Sequence, residues 1–220
     1  MLNRLLTLLF PPKCILCRKL LKKDETDICH HCRVDAPEFI RSKFQLSVIA
    51  HWTAVWYYKD NVRQSLLRYK FSGLRSYGQV FGRFLAMKVL TQKLDDFDVL
   101  TWVPVGPKRL RKRGYDQVEL IAQQAAQELQ CENVRCLRKI KDTPPQSGMP
   151  NAASRRANVL GAYVVTDPKL VAGKRILLLD DIITTGATAG ECARILLTSG
   201  ASQVHCGAVA AARHQAKLSR

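Results

Sequence analysis

The sequence predicts an α/β fold in which helices cover both faces of a parallel sheet. Continuous apolar runs typical of buried strands alternate with helical segments along most of the chain. One run, residues 176–179, ends in two carboxylates and a Thr/Gly loop, and another, residues 99–105, ends in a basic segment. Two Cys-x-x-Cys pairs precede all of these elements. These observations together predict a doubly wound parallel sheet preceded by a small metal-binding module.

Local composition predicts the individual elements. Runs rich in Val, Ile, Leu, Trp and Tyr predict strands over 48–58, 99–105, 161–165, 174–179 and 204–211. Apolar residues at helical spacing predict helices over 61–69, 78–94, 117–129 and 189–197. A short amphipathic helix is expected at residues 5–10. Three prolines and a glycine predict a long irregular loop over 141–156.

Composition and charge narrow the class of protein. The 220 residues are 47% hydrophobic, which allows one full core and a small module. The formal net charge is +17 at pH 7, more than one small anionic ligand requires. This surplus indicates either a polyanionic partner such as nucleic acid or a generally basic surface. No apolar run reaches the length of a membrane span, and no export signal is recognised, so the chain is expected to be cytoplasmic.

Residues 1–43 are predicted to form a zinc module. Two Cys-x-x-Cys turns separated by eleven residues can present four thiolates to one tetrahedral ion. The predicted metal ligands are Cys14, Cys17, Cys29 and Cys32. His30 and His31 lie inside the second pair, but four cysteines already complete the ligand set. Zinc would supply the folding free energy of so short a segment, about 10 kcal/mol or more. Two disulfides are the alternative interpretation.

The segment after residues 176–179 predicts a sugar-phosphate site. Ligands of open α/β sheets bind beyond the carboxyl ends of the strands, where this chain has Asp180 and Asp181. The next loop opens a helix, and its backbone N–H groups and threonine hydroxyls suit a phosphate. Two neighbouring carboxylates suit sugar hydroxyls or a divalent cation such as Mg²⁺. A strand that ends in Asp-Asp for structural reasons alone is the alternative.

A second segment, residues 108–113, carries five cations in six positions beyond the run 99–105. Guanidinium forks suit a pyrophosphate better than point charges do, so Arg109 and Arg113 are the main candidates there. The other cations of the segment cannot all point into one site, so some of them must face solvent. A solvated basic surface is the alternative interpretation.

The acidic pair and its loop, read as Asp-Asp-x-x-Thr-Thr-Gly-x-Thr, resemble the phosphoribosyl-pyrophosphate motif of the type I phosphoribosyltransferases. The resemblance implies that Asp180 and Asp181 hold the ribose hydroxyls. It also implies that the 5′-phosphate is bound by Thr184, Thr185, Gly186, Ala187 and Thr188. Many members of that family have a second glycine at the position of Ala187.

A longer pattern is similar to the ComF family of competence-associated phosphoribosyltransferase-like proteins, up to about residue 213. It contains the Cys₄ module, Lys-Phe-x-Gly, a Val-Pro segment with two arginines before Gly-aromatic, Gln-x(8)-Arg, and the acidic motif. The resemblance implies a type I phosphoribosyltransferase-like domain over 44–220.

The same resemblance implies roles for two further regions. A flexible loop over 141–156 would close over the reacting centre and make Arg155 a catalytic candidate, within the family's pattern of Gln146, Arg155, Arg156 and Asn158. A solvated linker is the alternative interpretation of this loop. The family usually has Asn where this chain has Asp116. A further negative charge beside a pyrophosphate site is unfavourable, so the role of Asp116 is open.

Three functions are consistent with these patterns. A phosphoribosyltransferase would bind phosphoribosyl pyrophosphate and Mg²⁺ between the two motifs and pass the sugar to a nitrogen nucleophile. A non-enzymatic competence protein would keep the fold as a scaffold and handle single-stranded DNA during uptake. A regulator would bind the sugar phosphate without turnover. No segment of the sequence names an acceptor.

Overall fold

The computed structural model describes residues 11–40, 45–46, 48–144 and 151–212. In chain order its elements are α1 (His30–Asp35), β1 (His51–Tyr57), α2 (Asp60–Phe71), α3 (Tyr77–Thr91), β2 (Val99–Trp102), α4 (Pro107–Arg113), α5 (Gln117–Glu128), β3 (Leu137–Lys139), α6 (Ala152–Val159), β4 (Tyr163–Val165), a 3₁₀ turn (Pro168–Leu170), β5 (Arg175–Ile183), α7 (Ala187–Thr198) and β6 (Gln203–Ala211). The predicted helix at 5–10, the module boundary at 43 and Gln146 lie outside the described residues.

The central layer is a four-stranded parallel sheet with the order β1-β6-β5-β2. Side chains of β5 alternate between two apolar cores, because successive residues of a strand point to opposite faces. Leu177 and Leu179 pack in the core beneath α2, α3 and α5, whereas Ile176 and Leu178 pack in the core beneath α7. Helices therefore cover both faces, and the predicted α/β class is confirmed.

Three predicted strands differ from the structure, and the first of them, predicted over 99–105, ends at Trp102 as β2. The strand predicted over 174–179 continues to Ile183, because the chain beyond Leu179 keeps its register with β6 as far as Ala211. The strand predicted over 161–165 does not join the main sheet. It forms β4, which pairs antiparallel with β3 in a separate two-stranded ribbon that the sequence analysis did not foresee.

Besides the short α1 of the cysteine-containing segment, the sequence analysis missed two helices. The basic segment folds into α4, which begins at Pro107, where proline suits the first helical turn, and ends at Gly114 in the left-handed conformation (φ 75°). The predicted loop over 141–156 is shorter than expected, since α6 begins at Ala152. Asn151 and Ser154 form a reciprocal capping box that starts this helix.

The cysteine-containing segment packs into the same core as the sheet. Ile15 and Leu16, which lie between the first two cysteines, are buried in the cluster that contains Leu66 and Phe81. Polar contacts add to this packing, because Arg68 donates hydrogen bonds to the carbonyl oxygens of Ile15 (2.9 Å) and Leu16 (2.6 Å). The module and the sheet thus share one apolar core. Among the described residues, no helix is long and apolar enough to cross a membrane.

Candidate functional site

The four predicted zinc ligands come together at one point. The Sγ atoms of Cys14, Cys17, Cys29 and Cys32 all lie within 4.8 Å of one another. The Sγ atoms of Cys17 and Cys29 are 3.6 Å apart, close to the roughly 3.8 Å expected between two ligands of a tetrahedral Zn–S₄ centre. All eight cysteines of the chain are free thiols, which rules out the disulfide interpretation in this structure.

The surroundings of this cluster fit a structural zinc ion. Burial opposes ionisation of Cys14, but backbone N–H groups of Cys17, Cys29 and Leu16 hydrogen-bond its sulfur and lower its pKa to about 7. His30 and His31 are exposed, and His31 pairs with Asp35 instead (Nδ1 to Oδ2, 2.9 Å). Four sulfurs fill the tetrahedral shell, so the cluster has the closed form typical of structural sites.

The acidic pair lies near the carboxyl end of β5. Asp180 is 7% exposed, and its Oδ1 accepts a hydrogen bond from the backbone N–H of Asp181 (2.7 Å). Burial, reinforced by the neighbouring Asp181 carboxylate, raises the pKa of Asp180 to about 8. Asp181 is ion-paired with Lys70 (Oδ2 to Nζ, 2.7 Å). Two adjacent carboxylates in one small space are costly unless cations balance them, and within the described part of the chain only Asp181 has an ion-pair partner.

Lys70 was not assigned a role by the sequence analysis. It belongs to the Lys-Phe-x-Gly step at the end of α2, far from Asp181 in sequence. Tyr69 holds this end of α2 in place, because its hydroxyl donates to the carbonyl oxygen of Gln117 (2.7 Å) and its own carbonyl accepts from Tyr115 (2.8 Å). The fold thus brings the end of α2 to the carboxyl edge of the sheet.

The threonine-rich loop joins β5 to α7. Gly186 adopts the left-handed conformation (φ 74°) and occupies the N-cap position of α7, where it supplies no capping side chain. A Cβ at Gly186 would lie 1.9 Å from Cδ2 of Leu46, so a larger residue would displace the Leu46 side chain and would also strain the left-handed backbone. The Oγ1 of Thr185 is buried without a hydrogen-bond partner. An unpaired buried hydroxyl beside a helix start suits a bound anion, because the anion would satisfy it.

The two arginines predicted for pyrophosphate lie on one side of α4. Arg109 donates to the carbonyl oxygen of Thr143 (3.1 Å), and Arg113 donates to Oε1 of Gln117 (2.8 Å). Burial lowers the pKa of Arg113, while the negative charge of Asp181 counteracts that shift. The basic helix therefore lies within electrostatic reach of the acidic pair. The sequence analysis predicted that some cations of this segment face solvent. The exposed ones are Lys108, Arg111 and Lys112.

A buried lysine on the antiparallel ribbon is the second cation that the sequence analysis missed. Lys139 is 7% exposed, and its Nζ donates to Oγ1 of Thr143 (2.8 Å). Among the described residues it has no carboxylate partner within ion-pair distance. Burial lowers its pKa, the nearby positive charge of Arg109 acts in the same direction, and Asp180 acts in the opposite one. Lys139 and Arg109 thus converge on Thr143, and an anion would compensate both.

Asp116 has a structural explanation. Its Oδ1 accepts from the backbone N–H groups of Val118 (3.0 Å) and Glu119 (3.2 Å) and so caps α5. Its Oδ2 accepts from the backbone N–H of Val105 (3.0 Å), which ties the segment after β2 to the start of α5. Burial raises the pKa of this carboxyl. Both oxygens accept from backbone N–H groups, so the carboxylate holds together the two ends of the segment that contains α4.

Arg155 is not placed beside the acidic pair by any contact described above. It lies partly buried on α6, which packs against α7. The neighbouring Asn158 donates to the carbonyl oxygen of Pro144 (3.2 Å), which links α6 to the preceding loop. The role of Arg155 stays a prediction.

Comparison with known proteins agrees with this architecture. A model of the phosphoribosyl transferase domain matches residues 119–220, and a model of the double zinc ribbon domain matches residues 5–44. The second segment contains four cysteines, enough for one Cys₄ zinc site. A solved structure titled as the allosteric regulatory enzyme of purine biosynthesis covers 61% of this chain and 26% of its own, with 23% identity and a TM-score of 0.43.

Three relatives extend the comparison. The DNA utilization protein YhgH of Escherichia coli O157:H7 is 31% identical over 61% of this chain, and the match spans 60% of its own length. The competence protein ComFC of Streptococcus pneumoniae is 29% identical over 86% of this chain and 77% of its own. The competence protein F of Haemophilus influenzae is 26% identical over 84% and 78%.

The fold and the two sites define a phosphoribosyltransferase-like protein with an N-terminal Cys₄ zinc module. The matching relatives carry names that refer to competence or to DNA utilization. These relatives and the two matching domain models support the resemblance to the ComF family that the sequence motifs carry.

Proposed function

We propose that this chain binds phosphoribosyl pyrophosphate with Mg²⁺ at the carboxyl edge of its sheet and transfers the phosphoribosyl group to a nitrogen acceptor. The observation that supports this proposal is that carboxylates and cationic side chains lie close together at the carboxyl edge of the sheet. The carboxylates of Asp180 and Asp181 lie within electrostatic reach of Arg113 and Lys139, and Thr185 offers an unpaired hydroxyl on the loop between β5 and α7.

Each part of the ligand has a matching group. The carboxylates suit ribose hydroxyls, the loop from Thr184 to Thr188 suits the 5′-phosphate, and Arg109, Arg113 and Lys139 suit the pyrophosphate. Hard carboxylate oxygens also fit Mg²⁺, which keeps most of its waters and binds through one or two carboxylates and substrate phosphates. When bound, Mg²⁺ would supply charge neutralisation of the departing pyrophosphate.

The chemistry needs positioning and charge stabilisation more than a covalent nucleophile. The acceptor nitrogen donates its electron pair to the anomeric carbon as the bond to pyrophosphate breaks on the opposite face. Arg109, Arg113 and Lys139 would then stabilise the leaving group. No general base is assigned. Arg155 would act on this site as a further cation, as the family resemblance implies.

Calorimetry with phosphoribosyl pyrophosphate and Mg²⁺ tests the proposal. The Asp180→Asn/Asp181→Asn variant and the Lys139→Met variant should each bind at least tenfold more weakly, because loss of a charge-assisted contact costs about 1.5–3 kcal/mol. Lys93→Met is the matched control, because it removes one lysine from an exposed position that follows α3. Unchanged affinity in the double Asn variant would show that the acidic pair is not the ribose site. Pyrophosphate release with a panel of bases and amines then separates an enzyme from a sensor.

A second candidate function, binding of single-stranded DNA, is favoured by the exposed cations of α4 and by the net charge of +17. Electrostatic binding releases counterions, so the logarithm of affinity should fall linearly with the logarithm of salt concentration, by about 0.7 per neutralised phosphate. Replacing Lys108, Arg111 and Lys112 by Gln should reduce this slope without changing sugar-phosphate affinity. An unchanged slope would place the DNA elsewhere, and no binding at low salt would leave the first proposal alone.

A further inference from the structure

Helix α2 contacts both the cysteine cluster and the acidic pair, and it does so within six residues. Ser65 and Arg68 bond to the first cysteine turn, residues 14–17, and Lys70 pairs with Asp181. Ser65 and Lys70 are five positions apart, which corresponds to about 7.5 Å along a helix axis. Close-packed interiors transmit strain, so a shift of α2 at one contact reaches the other.

On the zinc side, α2 bonds to backbone carbonyl groups whose positions depend on the fold of the turn. The hydroxyl of Ser65, a fully buried residue, donates to the carbonyl oxygen of Ile15 (2.6 Å). Arg68 donates to the carbonyl oxygens of Ile15 (2.9 Å) and Leu16 (2.6 Å). A zinc ion would bind both sulfurs of this turn and fix its shape, since metal binding supplies folding free energy to such modules. These three hydrogen bonds therefore make the position of α2 depend on zinc.

On the other side, α2 contributes a cation that lies mostly out of water. Nζ of Lys70 is 2.7 Å from Oδ2 of Asp181, and the two side chains are only 18% and 13% exposed. An ion pair at the surface contributes little, but withdrawal of one partner from a buried pair leaves a charge without compensation. A carboxylate that faces a neutralising ammonium also repels the phosphates of a ligand less. A small displacement of Lys70 would therefore change how well the acidic pair accepts a phosphorylated sugar.

We infer that Ser65 and Arg68 are positioning residues of the proposed site, and that through them an occupied cysteine cluster raises its affinity for the sugar phosphate. This inference rests on the proposed function. When zinc holds the first cysteine turn, α2 places Lys70 against Asp181. When the turn loosens, α2 shifts and the acidic pair loses its cation, so the phosphates of the ligand meet an uncompensated carboxylate. Because coupling between two sites is reciprocal, bound sugar phosphate raises the affinity for zinc by the same factor.

The chain offers a matched control for this role. Arg83, on α3, donates to both carboxylate oxygens of Asp27 in the zinc module (2.6 and 2.7 Å). None of the groups assigned to the proposed site lies on α3. Arg68→Met and Arg83→Met each remove one guanidinium that contacts the module, but only Arg68→Met cuts the connection to Lys70. A difference between the two variants therefore separates positioning of Lys70 from general support of the module.

Calorimetry with phosphoribosyl pyrophosphate and Mg²⁺ measures the affinity of the full chain, first loaded with zinc and then after a zinc-selective chelator has removed the metal. Circular dichroism checks that each sample stays folded. The parent chain should bind at least about fivefold more weakly without zinc, which is the lower end of the coupling found between two sites. Lys70→Met should bind weakly in both forms, with a zinc effect below about twofold, because the cation that α2 positions is absent.

Arg68→Met, loaded with zinc, should bind about fivefold more weakly than the parent, whereas Arg83→Met should match the parent within about twofold. Competition with a chromophoric chelator gives the zinc affinity of each variant. Sugar phosphate with Mg²⁺ should raise that affinity about fivefold in the parent and in Arg83→Met but not in Arg68→Met. A purely structural role of Arg68 would weaken zinc binding and leave this coupling unchanged.

Unchanged sugar-phosphate affinity in a folded, zinc-free parent would overturn the inference, and so would a zinc effect in Lys70→Met as large as that in the parent. If the zinc-free parent unfolds, the zinc-loaded variants decide, and equal affinities of Arg68→Met and Arg83→Met overturn the inference. Failure of the proposed function appears differently, as a zinc-loaded parent without measurable affinity for phosphoribosyl pyrophosphate, and that result removes both proposals.

Discussion

The zinc module and the sugar-phosphate site are assembled in opposite ways. The four sulfurs of the module come from a stretch of nineteen residues, Cys14 to Cys32, and two local turns bring them together. The second site takes groups from α2, α4, β3 and the segment from β5 to α7, which together span more than a hundred residues of the sequence. A site built from neighbouring residues can be recognised from their spacing in the sequence. Of a site built from distant segments, only the part that forms a contiguous motif can be recognised in this way.

The two regions are nevertheless joined through α2. This helix contacts the first cysteine turn through Arg68 and through Ser65, whose hydroxyl donates to the carbonyl oxygen of Ile15 (2.6 Å). Lys70, on the next part of the helix, pairs with Asp181. Arg83 on α3 adds a bidentate ion pair to Asp27 of the module (2.6 and 3.2 Å). Perturbation of one region should therefore be felt in the other.

Zinc loss should give the largest effect and is the strongest test of this connection. Cys29→Ser removes one ligand of the ion, whose binding free energy is of order 10 kcal/mol, and the module shares its core with α2 and α3. We expect the melting temperature of the whole chain to fall by more than 10 °C. Calorimetry checks this, with Cys131→Ser, a half-buried cysteine outside the cluster, as the control. A variant whose sheet melts at the parent temperature would show that the two regions fold independently.

Ionisation of Asp180 should give the next largest effect, and it concerns only the second region. The unfolded carboxyl ionises near pH 3.9, but in the folded chain burial and Asp181 raise its pKa to about 8. Between these values the folded state holds a proton that the unfolded state has lost, so the free energy of unfolding should fall as pH rises from about 4 to 8.

Denaturant titrations of the parent and of Asp180→Asn at a series of pH values measure this contribution. The variant cannot ionise at position 180, so it should be more stable than the parent at pH 8 and should differ least near pH 4. The same slope in both proteins would mean that Asp180 titrates normally.

Arg68→Ala should have an intermediate effect, because it removes charged hydrogen bonds to two carbonyl oxygens of the first cysteine turn. The expected loss is about 1.5–3 kcal/mol in the free energy of unfolding. Zinc should also be released faster to a chelator. Arg63→Ala, which removes an exposed arginine from the same helix, serves as the comparison. Equal chelation rates would indicate that α2 does not support the zinc module.

Asp116 should give the smallest effect. Asp116→Ala removes the cap of α5 and the bond to Val105, at a cost of about 1–2 kcal/mol. Asp116→Asn should cost less, because an amide oxygen can still cap α5 while the amide nitrogen cannot accept from Val105. Urea denaturation of the two variants measures the difference. Equal losses would show that the cap contributes nothing beyond the bond to Val105.

The sequence by itself determined the elements whose signal is local. Cys-x-x-Cys spacing predicts the zinc ligands because each turn places its own two sulfurs, and the apolar runs around residues 177 and 208 predict buried strands because both faces of a parallel sheet are covered. The Asp-Asp and Thr-Thr-Gly pattern predicts a strand, a loop and a helix in that order because these residues are contiguous in the sequence. β5 is nevertheless longer than its apolar run.

Only the tertiary structure decided which distant groups meet those elements. Nothing in the sequence near Lys70 or Lys139 indicates a partner, since an ammonium on a helix end or on a short strand normally faces solvent. The hydrogen bond from Tyr69 of α2 to Gln117 at the start of α5 helps to hold Lys70 beside Asp181, and the antiparallel ribbon buries Lys139 beside Thr143. Asp116, whose role the sequence left open, became a cap once α5 was seen to begin at Gln117. Charge balance in a buried site depends on contacts across the fold, and sequence spacing carries no record of them.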